Sequence, residues 1–378
     1  MHFVHSLNEG GIERLLFELC RKINRELFEI QICCIREKGI LYRDFENIGI
    51  KIHYLNAEKE LTFGNIYRNA FKLIQLRKIL INEDIDITHG HEFFSTVFSR
   101  LSAVISGIRI RFITLHNMYL WWSKKVHFVQ KILSYITTRI ICNSASTMKF
   151  SLEHDKISRS KYSLIYNGID TDKFKRKQFD KTSLLKEFGF KESDYICLSV
   201  GNISIRKGFE YMIRVMSKLN IEYDKLKYLI VGGEHHEEND EFKKIMNLIT
   251  EYKLNEVVKI TGRRNDVEKF LNVCDLYVMP SVTEGFGLAL TEAMSMENIV
   301  LVSDIEPFRE IVSDGNNGYY FKSCDCDSLS EKLRMILNLD EIEKSRIKRN
   351  ARNTVMEKFN LDTMVKNYEF LYKSKNNI

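Results

Sequence analysis

Two carboxylates eight positions apart, Glu284 and Glu292, frame the run Glu284-Gly-Phe-Gly-Leu-Ala-Leu-Thr-Glu292. Between them the turn Gly285-Phe286-Gly287 leads into Leu288 and an apolar, helix-forming stretch. The preceding Cys274-Asp-Leu-Tyr-Val-Met-Pro280 reads as a buried strand ending at a proline. Strand, glycine loop and helix, in that order, aim backbone N–H groups and the positive end of a helix at whatever lies over the loop, which suits a phosphate. One carboxylate sits in the loop and the other about two turns into the helix. Each can accept hydrogen bonds from sugar hydroxyls on either side of that phosphate. A loop of this make suits a sugar nucleotide.

Other glycine loops follow strand-like runs. Asn8-Glu-Gly-Gly-Ile-Glu-Arg14 places Gly10 and Gly11 at the start of a helix, where backbone can approach a ligand closely. Ser199-Val-Gly-Asn-Ile-Ser-Ile-Arg-Lys-Gly208 sets Arg206 and Lys207 in a turn, where a cation can meet a diphosphate. Tyr228-Leu-Ile-Val-Gly-Gly233 and Val257-Val-Lys-Ile-Thr-Gly-Arg-Arg264 are further strand ends with glycines. Taken singly, each is explained equally well by plain turn chemistry.

These loops need strands to hold them. Short apolar runs alternate with amphipathic stretches along the chain, which argues for βαβ units and parallel sheets. In the first half strands are expected near Phe3–His5, Ile30–Ile35, Ile52–Tyr54, Ile85–His89, Phe112–Leu115, Ile140–Cys142 and Ser163–Ile165. In the second half they are expected near Ile196–Val200, Tyr228–Val231, Val257–Ile260, Leu276–Met279 and Ile299–Val302, with a helix-rich tail from about Ser328. Asn167-Gly-Ile-Asp170 marks the boundary. The expected architecture is α/β: two Rossmann-like, doubly wound parallel-sheet domains, 1–168 and 169–358, facing a cleft. A terminal helix, about 359–378, packs back on the first domain.

The 378 residues suffice for two full cores, and no apolar run approaches the length of a membrane span. Met1-His-Phe-Val-His-Ser6 lacks the features of a signal peptide, so a cytoplasmic protein is expected. The eight cysteines include no C-x-x-C pair and read as free thiols, mostly buried. The ten histidines form no H-E-x-x-H, and His235-His236 lies in an acidic loop, so no metal site is expected. The net charge of +6 is uneven: Met1 to Gly168 holds 24 basic and 16 acidic residues, the remainder 33 and 35. From Phe93 to Leu152 there is no Asp or Glu.

The ordered set of motifs resembles the retaining, nucleotide-sugar-dependent glycosyltransferases of family 4, which have the GT-B fold. The resemblance runs over nearly the whole chain. It includes Ser6-Leu-Asn-Glu-Gly-Gly-Ile-Glu-Arg14, His89-Gly-His91, Thr114-Leu-His-Asn117, Tyr166-Asn-Gly-Ile-Asp170, Lys207-Gly208 and Val231-Gly-Gly233. It continues through Asp275-Leu-Tyr-Val-Met-Pro-Ser281, the E-x7-E element and Glu310-Ile-Val-Ser-Asp-Gly315. It implies that Lys207 neutralises the donor diphosphate and that Gly10 and Gly11 bring backbone amides to the same phosphates. Phe286, Gly287 and Leu288 would add N–H groups. Glu284 would contact the transferred sugar, Glu292 the ribose, and the backbone at Gly262 and Arg263 the nucleobase. His116 would line the sugar and acceptor site. No metal and no cofactor are implied, only a nucleotide-sugar donor and a saccharide or lipid-linked acceptor. UDP-hexose is the expected donor, with GDP-mannose next, and bacterial surface polysaccharide the expected product.

The chain departs from the family pattern in three places. Asn202 stands where an arginine usually follows the strand-end glycine, leaving Arg206 to compensate or the site to be weaker. The chain opens inside the first strand, where relatives commonly carry earlier residues. Met296-Glu-Asn-Ile299 replaces a usual Gly-x-Pro. Separately, Trp121, Trp122, Lys124 and Lys125 open a stretch of helical period. Trp122, Val126, Val129 and Leu133 would form its buried stripe, and Lys124, His127 and Lys131 another face. Aromatic and basic residues together suit an anionic bilayer, so peripheral attachment to the inner membrane face is expected. Two rival readings are a sugar-nucleotide 2-epimerase on the same fold and a basic nucleic-acid-binding protein. The E-x7-E context disfavours the first. The second leaves the glycine loops unexplained, and no nucleic-acid partner is expected.

Overall fold

The computed structural model describes the chain except residues 9, 58–62, 119–122, 235–238 and 375–378, and except the side chains of 63–68 and 239. Trp121 and Trp122 therefore lie outside the described residues. Strands β1 (His2–Ser6), β2 (Gln31–Glu37), β3 (Lys51–Tyr54), β4 (Ile87–His91), β5 (Ile110–Leu115), β6 (Arg139–Cys142) and β7 (Tyr162–Leu164) form one sheet. Its order is β3-β2-β1-β4-β5-β6-β7. A second sheet is built from β8 (Tyr195–Val200), β9 (Leu226–Val231), β10 (Val258–Ile260), β11 (Leu276–Met279), β12 (Ile299–Ser303) and β13 (Tyr319–Phe321). Its order is β10-β9-β8-β11-β12-β13. The strand pairings are parallel throughout both sheets.

Strands covered on both faces by helices carry no alternation of polar and apolar residues. Residues 276–279 of β11 and 299–303 of β12 are buried at every position. The same burial explains the cysteines: six of the eight free thiols are buried, Cys324 is exposed and Cys326 is half-buried. Each helix then needs only one apolar stripe. Gly11–Lys22 buries Leu15, Leu16, Leu19 and Cys20, with Glu13 in its first turn and Arg21 and Lys22 in its last, matching the helix dipole.

Both sheets are doubly wound, as expected. Strand order reverses between β1 and β4 in the first sheet and between β8 and β11 in the second. In such sheets ligands sit outside the carboxyl ends of the strands at that reversal. The loops after β1 and β8 carry Gly10-Gly11 and Lys207, and the loop after β11 carries Glu284.

Three expectations are corrected. Strand β13 was not foreseen; three residues are too few to display a period. Strand β4 extends to His91, so both its histidines lie within the sheet. The helix Lys124–Ser134 is rotated from the expected orientation. It buries Gln130, Leu133 and Ser134, leaves Val129 exposed, and turns His127 inward to Asp155 at 2.6 Å. The reason is a polar anchor. The fully buried Arg100 guanidinium bonds Gln130 Oε1 at 2.9 Å and Thr96 Oγ1 at 3.0 Å. Satisfying that cation outweighs burying one more valine.

The chain divides into two compact units: Met1–Gly168 together with the chain from Leu361 onward, and Ile169–Asn360. At the two crossings Ile169 pairs with Asn360, and Ile169 N–H donates to the Phe359 carbonyl. The returning helix Leu361–Lys373 buries Leu361, Met364, Val365, Tyr368, Leu371 and Tyr372. Tyr372 stacks on Phe112 and its hydroxyl meets His89 Nδ1 at 2.8 Å. Tyr372→Ala is expected to destabilise the first unit by about 3–5 kcal/mol. Tyr372→Phe is expected to cost only about 1 kcal/mol. Urea unfolding followed by far-UV circular dichroism measures both losses against wild type.

Candidate functional site

In the second unit the carboxyl ends of three strands are locked together through glycines. Gly201, with φ +150°, follows β8, and its N–H donates to the Val231 carbonyl. Gly232 leaves β9 so close that an added Cβ would collide with the Gly201 carbonyl oxygen. After Gly201 and Asn202 the chain makes one 3-10 turn, Ile205–Lys207, and leaves it through Gly208 in the left-handed region. A Cβ at Gly208 would strike the Pro280 carbonyl at the end of β11. The Arg206 carbonyl accepts from Val282 N–H at 2.8 Å. The Lys207 turn is thereby seated directly on the loop that carries Glu284.

Lys207 Nζ reaches Glu284 Oε1 at 2.6 Å, and Ser281 Oγ donates to the same oxygen at 3.1 Å. The two side chains are only 20% and 15% exposed. Glu284 is held from two sides, while a charge-assisted bond fixes the Lys207 ammonium. The helix Leu288–Ser295 starts just beyond. Its N-cap is Gly287 at φ +113°, with no capping side chain, and Phe308 fills the space where a Cβ would project. Because the helix begins at Leu288, Glu292 lies early in its second turn, one turn nearer the loop than expected. Glu284 and Glu292 both push the pKa of the buried Tyr277 upward, adding to burial as the main cause. Gly262, at φ +73°, bridges Gly232, and the space beside its Cα is open. Arg263 is exposed, whereas Arg264 is engaged by Asp266 at 2.9 Å. The second unit thus gathers Asn202, Arg206, Lys207, Gly262, Arg263 and the Glu284–Glu292 run at one end of its sheet.

The first unit carries the other expected residues. Gly10 caps the helix Gly11–Lys22 without a side-chain bond. The Glu13 carboxylate folds back over it, into the space a Gly10 Cβ would need. Burial first, and the nearby Glu92 second, push the Glu13 pKa up to about 8, against a bond from its own backbone N–H. Burial raises Glu92 to about 6. A protonated Glu13 presents no negative charge to an anion at this helix end. His116 follows β5 and is buried, with its carbonyl accepting from Asn143 Nδ2 and its Nε2 at 3.0 Å from His91 Nδ1. Burial pushes its pKa down to about 4.

Sequence reasoning missed Ser281, Glu13 and the partners of His116. The H-x-H spacing on β4 was the available signal, since residues two apart share a strand face. His2, His89 and His91 bring one ring nitrogen each within 4.8 Å of one another. Both His89 nitrogens are engaged, by Tyr372 at 2.8 Å and Thr114 at 2.7 Å, and the His89–His91 and His2–His91 rings stack. Lys124 and Lys125 are exposed in the first turn of Lys124–Ser134.

The two buried titrations have opposite signs. His116 is depressed from 6.5, so its contribution is complete above that value and lost as pH falls through about 4. Glu13 is raised from 4.5, so its contribution is complete below that value and lost as pH rises through about 8. Thermal melts of the first unit are expected to peak near pH 6.5 and decline by pH 8.5 (rough values). In Glu13→Gln the alkaline decline should flatten; an unchanged slope would show that Glu13 is already ionised.

Two protein families match the chain: residues 9–173 fit Glycosyltransferase Family 4 and residues 180–354 fit Glycosyl transferases group 1. The chain is 26% identical, over 96% of its length and 93% of the other's, to UDP-Gal:alpha-D-GlcNAc-diphosphoundecaprenol alpha-1,3-galactosyltransferase of Escherichia coli. It is 27% identical to the capsular polysaccharide biosynthesis glycosyltransferase CapH of Staphylococcus aureus, over 82% of each chain. Its fold matches the crystal structure of Anabaena Alr3699/HepE in complex with UDP and glucose, with a TM-score of 0.88 and 20% identity over 99% and 98% of the two chains. Two doubly wound units with glycine-rich strand ends, each matched by its own family, agree with these likenesses: the chain belongs to the family 4 glycosyltransferases of the GT-B fold.

Proposed function

We propose that this protein is a retaining glycosyltransferase that moves a hexose from a UDP-sugar to a lipid-linked or saccharide acceptor in bacterial surface polysaccharide synthesis. The observation that carries this reading is the Lys207–Glu284 contact at the switch point of the second sheet. A sugar hydroxyl can replace the ammonium as the partner of Glu284 while Lys207 turns to the diphosphate. Departure of a nucleoside diphosphate from an oxocarbenium-like centre builds negative charge, and a positioned cation and helix end stabilise it without a metal. The N–H groups of Phe286, Gly287 and Leu288 serve the same phosphates. Glu292 binds the ribose and the backbone at Gly262 and Arg263 the base. Arg206, on the Lys207 turn, substitutes for the cation that Asn202 lacks. Glu284 and Glu292 are donor-holding groups rather than an acid and a base flanking a glycosidic bond.

The UDP preference is supported by the UDP-Gal donor in the Escherichia coli relative's name and by UDP in the Anabaena structure. Titration calorimetry is expected to show tighter binding of UDP than of GDP. Lys207→Ala and Glu284→Ala should each lower transfer or hydrolysis of UDP-glucose or UDP-galactose by roughly a hundredfold or more. Rates equal to wild type would remove these residues from the reaction.

An anionic membrane surface is the proposed place of work. The Escherichia coli relative's acceptor is a diphosphoundecaprenol, and no helix among the described residues is long and apolar enough to cross a bilayer. The helix Lys124–Ser134 instead exposes Phe128 (63%), Ile132 (50%) and, just past its end, Tyr135 (79%) beside Lys124, Lys125 and Lys131. Such a face suits the headgroup boundary of an anionic bilayer. Flotation with anionic liposomes should recover the protein, less so in high salt. Lys124→Glu with Lys125→Glu should abolish recovery; equal recovery would place the membrane contact elsewhere.

A further inference from the structure

Four imidazoles meet in the first unit, from segments far apart in sequence. The β1–β4 register sets His2 beside His89, and His89 and His91 share one face of β4. His116 follows β5, the neighbouring strand. All four are buried, none more than 6% exposed. His116 Nε2 lies 3.0 Å from His91 Nδ1, and His91 Nε2 lies 3.0 Å from His2 Nδ1. The rings stack with centroids 5.3 Å apart at both steps. His89 stands beside this ladder with its own partners, Tyr372 and Thr114.

Burial keeps these rings neutral, and adjacent imidazoles oppose one another's protonation. A neutral imidazole has one N–H and one bare nitrogen, so each step of the ladder has one donor and one acceptor. The choice propagates. If His116 Nε2 donates, His91 Nδ1 accepts, His91 Nε2 donates and His2 Nδ1 accepts. His116 Nδ1 is then bare. In the opposite arrangement every step reverses and His116 Nδ1 carries the proton. The two arrangements interconvert only if a proton enters at one end as another leaves at the other. A buried ladder therefore holds one of them.

We infer that His91, backed by His2, is a positioning residue that fixes the tautomer and ring orientation of His116, so that His116 Nδ1 meets a sugar hydroxyl with a defined hydrogen-bonding role and no charge. The inference rests on the placement of His116 at the sugar and acceptor site that the family resemblance implies, and so on the proposed function. It assigns the H-x-H strand end a part in catalysis that acts through another residue, as the outer partners of metal-bound histidines do.

The test uses the full chain labelled with 15N-histidine. Two-bond proton–nitrogen spectra distinguish neutral tautomers, and His116→Gln identifies the His116 signals. Wild type is expected to show one neutral tautomer at His116 from about pH 5.5 to 8.5. His91→Phe keeps a ring but removes both nitrogens. It should give mixed tautomers and a kcat for UDP-glucose or UDP-galactose turnover lower by roughly tenfold to a hundredfold, with donor KM within about twofold. His91→Asn, whose amide stands near the Nδ1 position, should restore a single state and most of kcat. If His91→Phe fails to fold, His2→Phe tests the ladder one step further out. A folded His91→Phe or His2→Phe with unchanged His116 signals and kcat overturns the proposal, as does a His91→Asn no better than His91→Phe. Turnover that His116→Ala leaves unaltered overturns it too. Failure of the functional reading looks different: no donor is turned over, or Lys207→Ala is silent, while the spectra still report the ladder.

Discussion

In the second unit, backbone comes closer to backbone than any side chain permits. Gly232 lies on the Gly201 carbonyl and Gly208 on that of Pro280, so the ends of β8, β9 and β11 form one rigid surface. Lys207 and Glu284 are 77 positions apart in sequence yet 2.6 Å apart in space, because the turn carrying one is seated on the loop carrying the other. A Cβ at either glycine would separate the strands' ends and pull the pair apart. The chemistry of the site depends first on this steric allowance, and only then on the charges it brings together.

The first unit solves a different problem at the same topological place. Burial keeps the clustered His2, His89, His91 and His116 neutral and drives Glu13 toward its protonated form, so these groups are held by directional hydrogen bonds. The helix returning from the second unit is part of this arrangement, since Tyr372 closes one side of the histidine cluster. Segments from both ends of the chain are thus needed to complete one polar core.

Arg100 shows how a buried polar group overrides a surface pattern. The sequence around Lys124–Ser134 reads as an apolar stripe with a basic face, but the guanidinium claims Gln130 and rotates the helix. Phe128 and Ile132 are left exposed in the same helix as the lysines, which adds apolar surface to a stretch without Asp or Glu. Periodicity reports which residues share a face, not which face turns inward when a buried cation must be satisfied.

Most of the element order was legible because strands buried on both faces read as continuous apolar runs, bounded by glycines that mark their ends. β13 escaped, since three residues have no period. The chemistry-bearing loops were legible for the same local reason: their glycines and charged residues are neighbours in sequence. Pairing was not. Lys207 with Glu284 and Ser281, His116 with His91 and His2, and Glu13 over Gly10 with Glu92 close by join positions whose proximity follows from strand order, register and side-chain packing. The amino-acid sequence by itself determined which groups are available and at which strand ends they stand. Only the tertiary structure decided which of them meet and which are stripped of water, because hydrogen bonds and desolvation act across space rather than along the chain.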